Sequence, residues 1–409
     1  MDSTQLAALQ RKTIKTLTLG QILSGFGLGS TLSIGALLAA DLSGSEAWSG
    51  SAATFSTLGA AFSAIPLARV ANKFGRRVSL AIGAGIAITG ALLVITAASI
   101  RFFPLLLVAL LLLGAGSAVG LQARFAATDI PDTGRTGRDL ALVVWATTVG
   151  AVIGPNLFGP GEYLGHLLGM PSLTGPFVIT IAAQILASTV FFFGLKPDPL
   201  KVAQSLVNKS ALKPKTSISA AFRTLKEYPK AGFAVLTIAL AHMVMVSVMS
   251  MTPVHMKHDG ADLALVGFVI SLHIAGMYAF SPLFGMLADK IGHIQTVLVG
   301  QVVYVASLVI SATAGHNHNQ VTLGLFLLGL GWSASTVAGA ALLTSTLAPA
   351  DKINVQGVSD SGMQFAGAFG GGIAGSVLAA IAFSGLNYTA LIPVSVIVIA
   401  SGWNLIRRK

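Results

Sequence analysis

The segment Ala71-Asn72-Lys73-Phe74-Gly75-Arg76 returns half a chain later as Ala288-Asp289-Lys290-Ile291-Gly292-His293. Each copy lies between two apolar runs, 48–70 and 78–99 for the first, 263–287 and 295–314 for the second. A Lys two places before a Gly, between runs of that length, reads as a tight basic turn joining two helices. Working outward gives further runs at 16–39, 103–125, 140–160, 175–195, 231–253, 320–346, 356–383 and 387–406. Each is long enough to cross a bilayer, so the spacing predicts an all-α membrane protein of about twelve spans. The repeated turn divides them into two six-helix halves.

Composition agrees. The 409 residues are 54% hydrophobic and 10% charged, with a mean hydropathy of +0.80. A soluble domain carries about 25% charged residues, so a soluble enzyme and a disordered chain are both excluded. With no Cys there is neither a disulfide nor a thiolate metal site. The first run is too long for a signal-peptide core and lacks a small-residue cleavage site. No phosphate-binding Gly-x4-Gly-Lys-Ser/Thr pattern and no nucleophile–His–acid arrangement is present, so the chain reads as neither an enzyme nor an ATP-driven pump.

The net charge of +11 is unevenly placed. Every Lys and Arg except Arg101 and Lys257 falls on one side of the predicted spans. By the positive-inside rule both termini are cytoplasmic, in a multi-pass bacterial inner-membrane protein. The cations then face anionic lipid, and nucleic acid is not an expected partner. Segment 197–230 is the one long polar stretch, with Pro197, Pro199 and Pro214 among many cations. It reads as a cytoplasmic linker between halves 1–196 and 231–409, with an amphipathic helix near 217–228. A monomer is expected.

Two six-helix halves, a basic linker and the repeated turn resemble the major facilitator superfamily. That family's turn signature is Gly-x-x-x-Asp-Arg/Lys-x-Gly-Arg/Lys-Arg/Lys. The second copy keeps Gly285, Asp289, Lys290 and Gly292, while the first keeps Lys73, Gly75, Arg76 and Arg77. Ala68 and Asn72 stand where the first copy lacks the Gly and the Asp. The resemblance implies alternating access about a site near the membrane midplane, between the halves. It implies gating or structural roles for Lys73, Gly75, Arg76, Gly285, Asp289 and Gly292. The stretch Gly150 to Pro160, with Gly154-Pro155, is similar to the Gly-Pro motif of the superfamily's proton-coupled drug antiporters, although Phe158 stands where a Gly is usual. Generic helix packing accounts for the same residues.

Methionine carries the chemical signal. Seven of ten lie between 243 and 286, and four of the eight His, His242, His255, His258 and His273, lie in or directly before that window. Met245 and Met249 are four apart on the seventh span, with His242 three before Met245. His273 and Met277 are four apart on the eighth. Residues at these spacings share a helix face. Thioether and imidazole suit Cu(I) and are poor ligands for hard cations. Met also fills apolar cavities, and a drug-binding lining or a proton-carrying His fits the same residues.

Met-x-x-x-Met followed by His-x-x-x-Met, on these two spans, is similar to the motif pair of the CcoA-like copper importers, a branch of the superfamily. The resemblance implies copper, as Cu(I), for a transported substrate, with Met245, Met249, His273 and Met277 as its ligands and no prosthetic group. His242 is an additional candidate. His255 and Met256, beyond Pro253, are candidates for capture at the outer mouth. The alternative is proton-coupled efflux of a drug or other hydrophobic small molecule.

Overall fold

The computed structural model describes residues 3–29, 33–127, 129–130, 136–206, 218–347 and 349–406. Every regular element among them is helical. The first half contains α1 (Ser3–Gly29), α2 (Gly35–Ser43), a 3-10 turn (Glu46–Trp48), α3 (Ser51–Phe74), α4 (Arg76–Ser99), α5 (Phe103–Ala126), α6 (Thr136–Asn156), α7 (Phe158–Leu167) and α8 (Gly175–Gly194). Two short helices follow, α9 (Pro199–Leu206) and α10 (Ile218–Glu227). The second half contains α11 (Pro229–His258), α12 (Leu263–Tyr278), α13 (Ser281–Ile291), α14 (His293–Ala312), α15 (His318–Thr346), α16 (Pro349–Thr389) and α17 (Leu391–Ile406).

Nine stretches among the described residues are long and apolar enough to cross a membrane. They include the second to fourth and sixth to tenth predicted spans, and one 49-residue stretch, Val358–Ile406, that takes in the last two. The first and fifth predicted spans are not among the nine. The first crosses residues 30–32, outside the described residues, and the fifth is divided at Leu157 into α6 and α7. Pro155 and Pro160 flank that break, and each removes a helix donor. The eighth span is likewise divided, into α12 and α13, ahead of Pro282. Within α16 the backbone leaves helical geometry at Ile381 and Ala382, close to the predicted end of the eleventh span. Linker helix α10 matches the amphipathic segment expected near 217–228.

The helices group into two compact units. One comprises Met1–Leu42, Phe55–Lys213 and Asp262–Ser271; the other comprises Ser43–Thr54, Pro214–Ala261 and Leu272–Lys409. In the first, Leu17, Leu80, Val119, Phe191 and Leu195 form a buried apolar core. Small residues let its helices approach to backbone contact: a Cβ on Gly154 of α6 would lie 2.5 Å from the Phe26 carbonyl oxygen of α1. In the second, Tyr304 of α14 is fully buried and donates its hydroxyl to the Ala241 carbonyl of α11 at 2.8 Å. Gln301 of α14 donates to Ser335 of α15, also at 2.8 Å. Satisfying such groups internally matters most where no water is available to replace them.

The repeated turns behave as their glycines require. Gly75 has φ +97° and Gly292 φ +103°, values that L side chains rarely adopt. Each turn is packed by a different side chain. Beside Gly75 lies the Asp198 carboxylate; beside Gly292 lies the Gln295 amide.

Candidate functional site

The methionine and histidine motifs fall on α11 and on the part of α12 that belongs to the second unit, with α15 beside both. Pro229 opens α11, where its missing N–H costs nothing. Thirteen residues on, α11 presents His242, then Met245 and Met249. Helix α12 presents His273 and Met277. All five are buried: Met245 is 3% exposed, Met249 5%, Met277 5%, His242 9% and His273 0%.

Helix α15 sets the two imidazoles differently. His273 Nδ1 lies 2.7 Å from the Leu325 carbonyl oxygen. A carbonyl only accepts, so Nδ1 carries the proton. In the neutral ring Nε2 is then the lone pair. It is buried, and it has no hydrogen-bond partner. His242 has the opposite arrangement. The Trp332 indole Nε1–H donates to His242 Nδ1 at 3.2 Å, which places the ring proton on Nε2. That edge faces Gly367 of α16, where a Cβ would lie 2.9 Å from Nε2. His273 therefore offers a lone pair and His242 offers a donor. Trp332 also meets the Tyr278 ring edge-on at 5.6 Å between centroids, so His242, Trp332 and Tyr278 form one aromatic group.

Backbone packing holds the His273 turn in place. A Cβ on Gly329 of α15 would strike the His273 carbonyl oxygen and lie 3.0 Å from the Met277 amide nitrogen. The three thioethers and the imidazole lone pair are each neutral, soft donors. Among the described residues no group of three or more His, Cys, Asp or Glu is placed to hold a metal ion.

The expected capture residues are occupied or enclosed. His255 stacks on Phe383 with centroids 4.2 Å apart, and its Nε2 is 3.4 Å from Asp259 Oδ2. The other Asp259 oxygen is 2.9 Å from His316 Nδ1. Met256 is 1% exposed. Met286, by contrast, is 59% exposed on α13.

The gating residues divide between the two turns. Lys73 lies over the Phe74 ring at 5.0 Å. Arg76 makes a two-point ion pair with Asp129, at 2.8 and 3.1 Å. The first turn lacks its own acid at Asn72, yet a carboxylate is present. Asp198 Oδ2 accepts the Arg77 amide at 2.8 Å, and Oδ1 accepts those of Leu200 and Lys201 at 3.1 and 3.2 Å. One side chain thus caps both α4 and α9. In the second turn Asp289 is exposed, and Gly285 has open space beside it with only Val337 at 4.0 Å. Within the first unit, the Pro155 carbonyl sits under Gly267. Sequence reasoning missed Trp332, the Leu325 carbonyl and Asp198. Only Asp198 had a local signal, an Asp directly before the Pro that opens a helix.

Comparison with known proteins accounts for this architecture. The chain is 37% identical over 387 residues to the uncharacterized MFS-type transporter YddS of Bacillus subtilis (strain 168), covering 94% of this chain and 88% of that one. It is 26% identical over 387 residues to the riboflavin transporter RfnT of Brucella anthropi, covering 93% of each. The fold matches a crystal structure of a mutant nucleoside transporter NupG with a TM-score of 0.71 at 16% identity, covering 97% of this chain and 100% of that one. The family model described as Major Facilitator Superfamily matches residues 17–264 and 234–409, so this chain belongs to the Major Facilitator Superfamily.

Proposed function

We propose that this chain imports copper across a bacterial inner membrane, binding Cu(I) through Met245, Met249, His273 and Met277 and releasing it by alternating access. Superfamily membership makes the chain a multi-pass secondary transporter, not an enzyme. The copper reading goes further, and one observation carries it. The His273 ring is fixed by the Leu325 carbonyl so that its Nε2 lone pair is buried and unpartnered. A second nitrogen hydrogen-bonded to a carbonyl is the usual way a ligating imidazole is oriented. Neutral thioethers suit a cargo that must be both bound and released. The basic face, with both termini, lies in the cytoplasm. Resemblance to the CcoA-like motif pair supports the same cargo.

A second reading has its own observation. The His242–Trp332–Tyr278 group suits a ring-bearing organic solute, and RfnT is named as a riboflavin transporter. Efflux of a hydrophobic compound by proton exchange is the third, with the methionines as apolar lining. Copper accumulation in cells separates them. Under the copper reading, deleting the gene lowers cell copper, and His273→Ala fails to restore it. Unchanged copper, together with lost riboflavin uptake or raised sensitivity to hydrophobic toxicants, rejects it.

A further inference from the structure

Helices α1 and α8 leave an open groove on the first unit of about 380 Å³, lined by Lys15, Thr16, Leu19, Val190, Phe193 and Gly194 among others. Its walls are apolar and uncovered: Leu19 is 49% exposed and Phe193 62%. Its end is cationic. Lys15 lines the groove itself. The Lys196 ammonium lies 5.2 Å from the centre of the Phe193 ring, above the groove wall. Lys12 donates to the Lys196 carbonyl at 2.7 Å, which ties the two helices together at this level. The nearest acid in sequence, Asp198, is engaged by three backbone amides.

The second unit provides an internal comparison. A groove of about 480 Å³ lies between α11 and α17, with Leu236, Ile399 and Trp403 in its wall, and no cation is among its described lining residues. Both grooves fit an acyl chain; among the described residues, only the first joins that fit to positive charge at the depth where the apolar surface ends. Basic pockets between spanning helices bind anionic headgroups on this principle, and lysine stems reach along apolar surface to do so.

We propose that the α1–α8 groove is a binding site for one anionic phospholipid, its acyl chain along Leu19, Val190 and Phe193 and its phosphate between the Lys15 and Lys196 ammonium groups. The occupant comes from the leaflet that meets the basic face of the protein. Nothing in this site depends on the identity of the cargo.

Native mass spectrometry of the purified full-length protein, titrated with dioleoylphosphatidylglycerol or dioleoylphosphatidylcholine, tests the site. The wild type retains one phosphatidylglycerol in preference to phosphatidylcholine. Lys15→Gln weakens that retention by about fivefold, the share of one near-surface cation. The Lys15→Gln, Lys196→Gln pair abolishes the preference. Val190→Trp, which fills the groove, lowers retention of both lipids. Lys226→Gln, a cation on α10 outside the groove, changes nothing. A preference that survives in the double variant overturns the site, and so does an equal loss in Lys226→Gln.

Discussion

The Leu325 carbonyl, 2.7 Å from His273 Nδ1, decides which nitrogen of His273 is left for a ligand. The Trp332 indole makes the opposite choice for His242, 90 residues away in sequence. Two buried histidines on neighbouring helices are thereby given different roles. His273→Ala should weaken Cu(I) binding by more than the roughly 10- to 100-fold that losing an orienting partner alone costs. His242→Ala should leave affinity near wild type. Titration of purified protein against a Cu(I) chelator of known affinity checks both.

Trp332→Phe keeps the ring beside Tyr278 and removes the donor to His242. It leaves a buried Nδ1 acceptor unsatisfied, which costs about 1–3 kcal/mol. Thermal unfolding in detergent should show a lower midpoint for this variant.

Gly329→Ala should damage the site without touching a ligand. The added Cβ meets the His273 carbonyl and the Met277 amide, so α12 must move or rotate away from α15. Overpacking of this kind costs about 1–3 kcal/mol. Copper affinity and thermal midpoint should fall together, whereas Gly362→Ala, where no atom lies within 4 Å of the new Cβ, should leave both alone.

Gly75→Ala faces two penalties, a positive φ worth about 1–2 kcal/mol and a clash with the Asp198 carboxylate. Asp198→Ala alone loses the shared cap of α4 and α9, at about 0.5–2 kcal/mol. The combined variant should be less destabilised than the sum, because the clash is gone. A double-mutant cycle on thermal stability measures that coupling.

The turns, spans and motifs were legible because each is a local pattern. Gly75 and Gly292 had to be turn glycines between apolar runs, and both have the positive φ such turns need. The fifth span read as one run, but between Pro155 and Pro160 it divides at Leu157. Partners were illegible because they come from distant chain. Nothing near His242 points to Trp332, and nothing near His273 points to the Leu325 carbonyl. Asn72 read as a lost carboxylate, but Asp198 supplies one from the linker. The sequence periodicity put Met245 and Met249 on one helix and His273 and Met277 on the next, and these are α11 and α12. It was the tautomers, set by α15, that separated His273 from His242.

Sulfur-based copper transport can be tested by radiolabelled copper uptake into proteoliposomes, with wild type beside Met249→Leu. Leucine matches methionine closely in volume, so the buried position stays filled and the fold is kept, while the sulfur is gone. The wild type should take up copper and Met249→Leu should not, with both proteins unfolding at similar temperature. Equal uptake by the two, or none by the wild type, would contradict it.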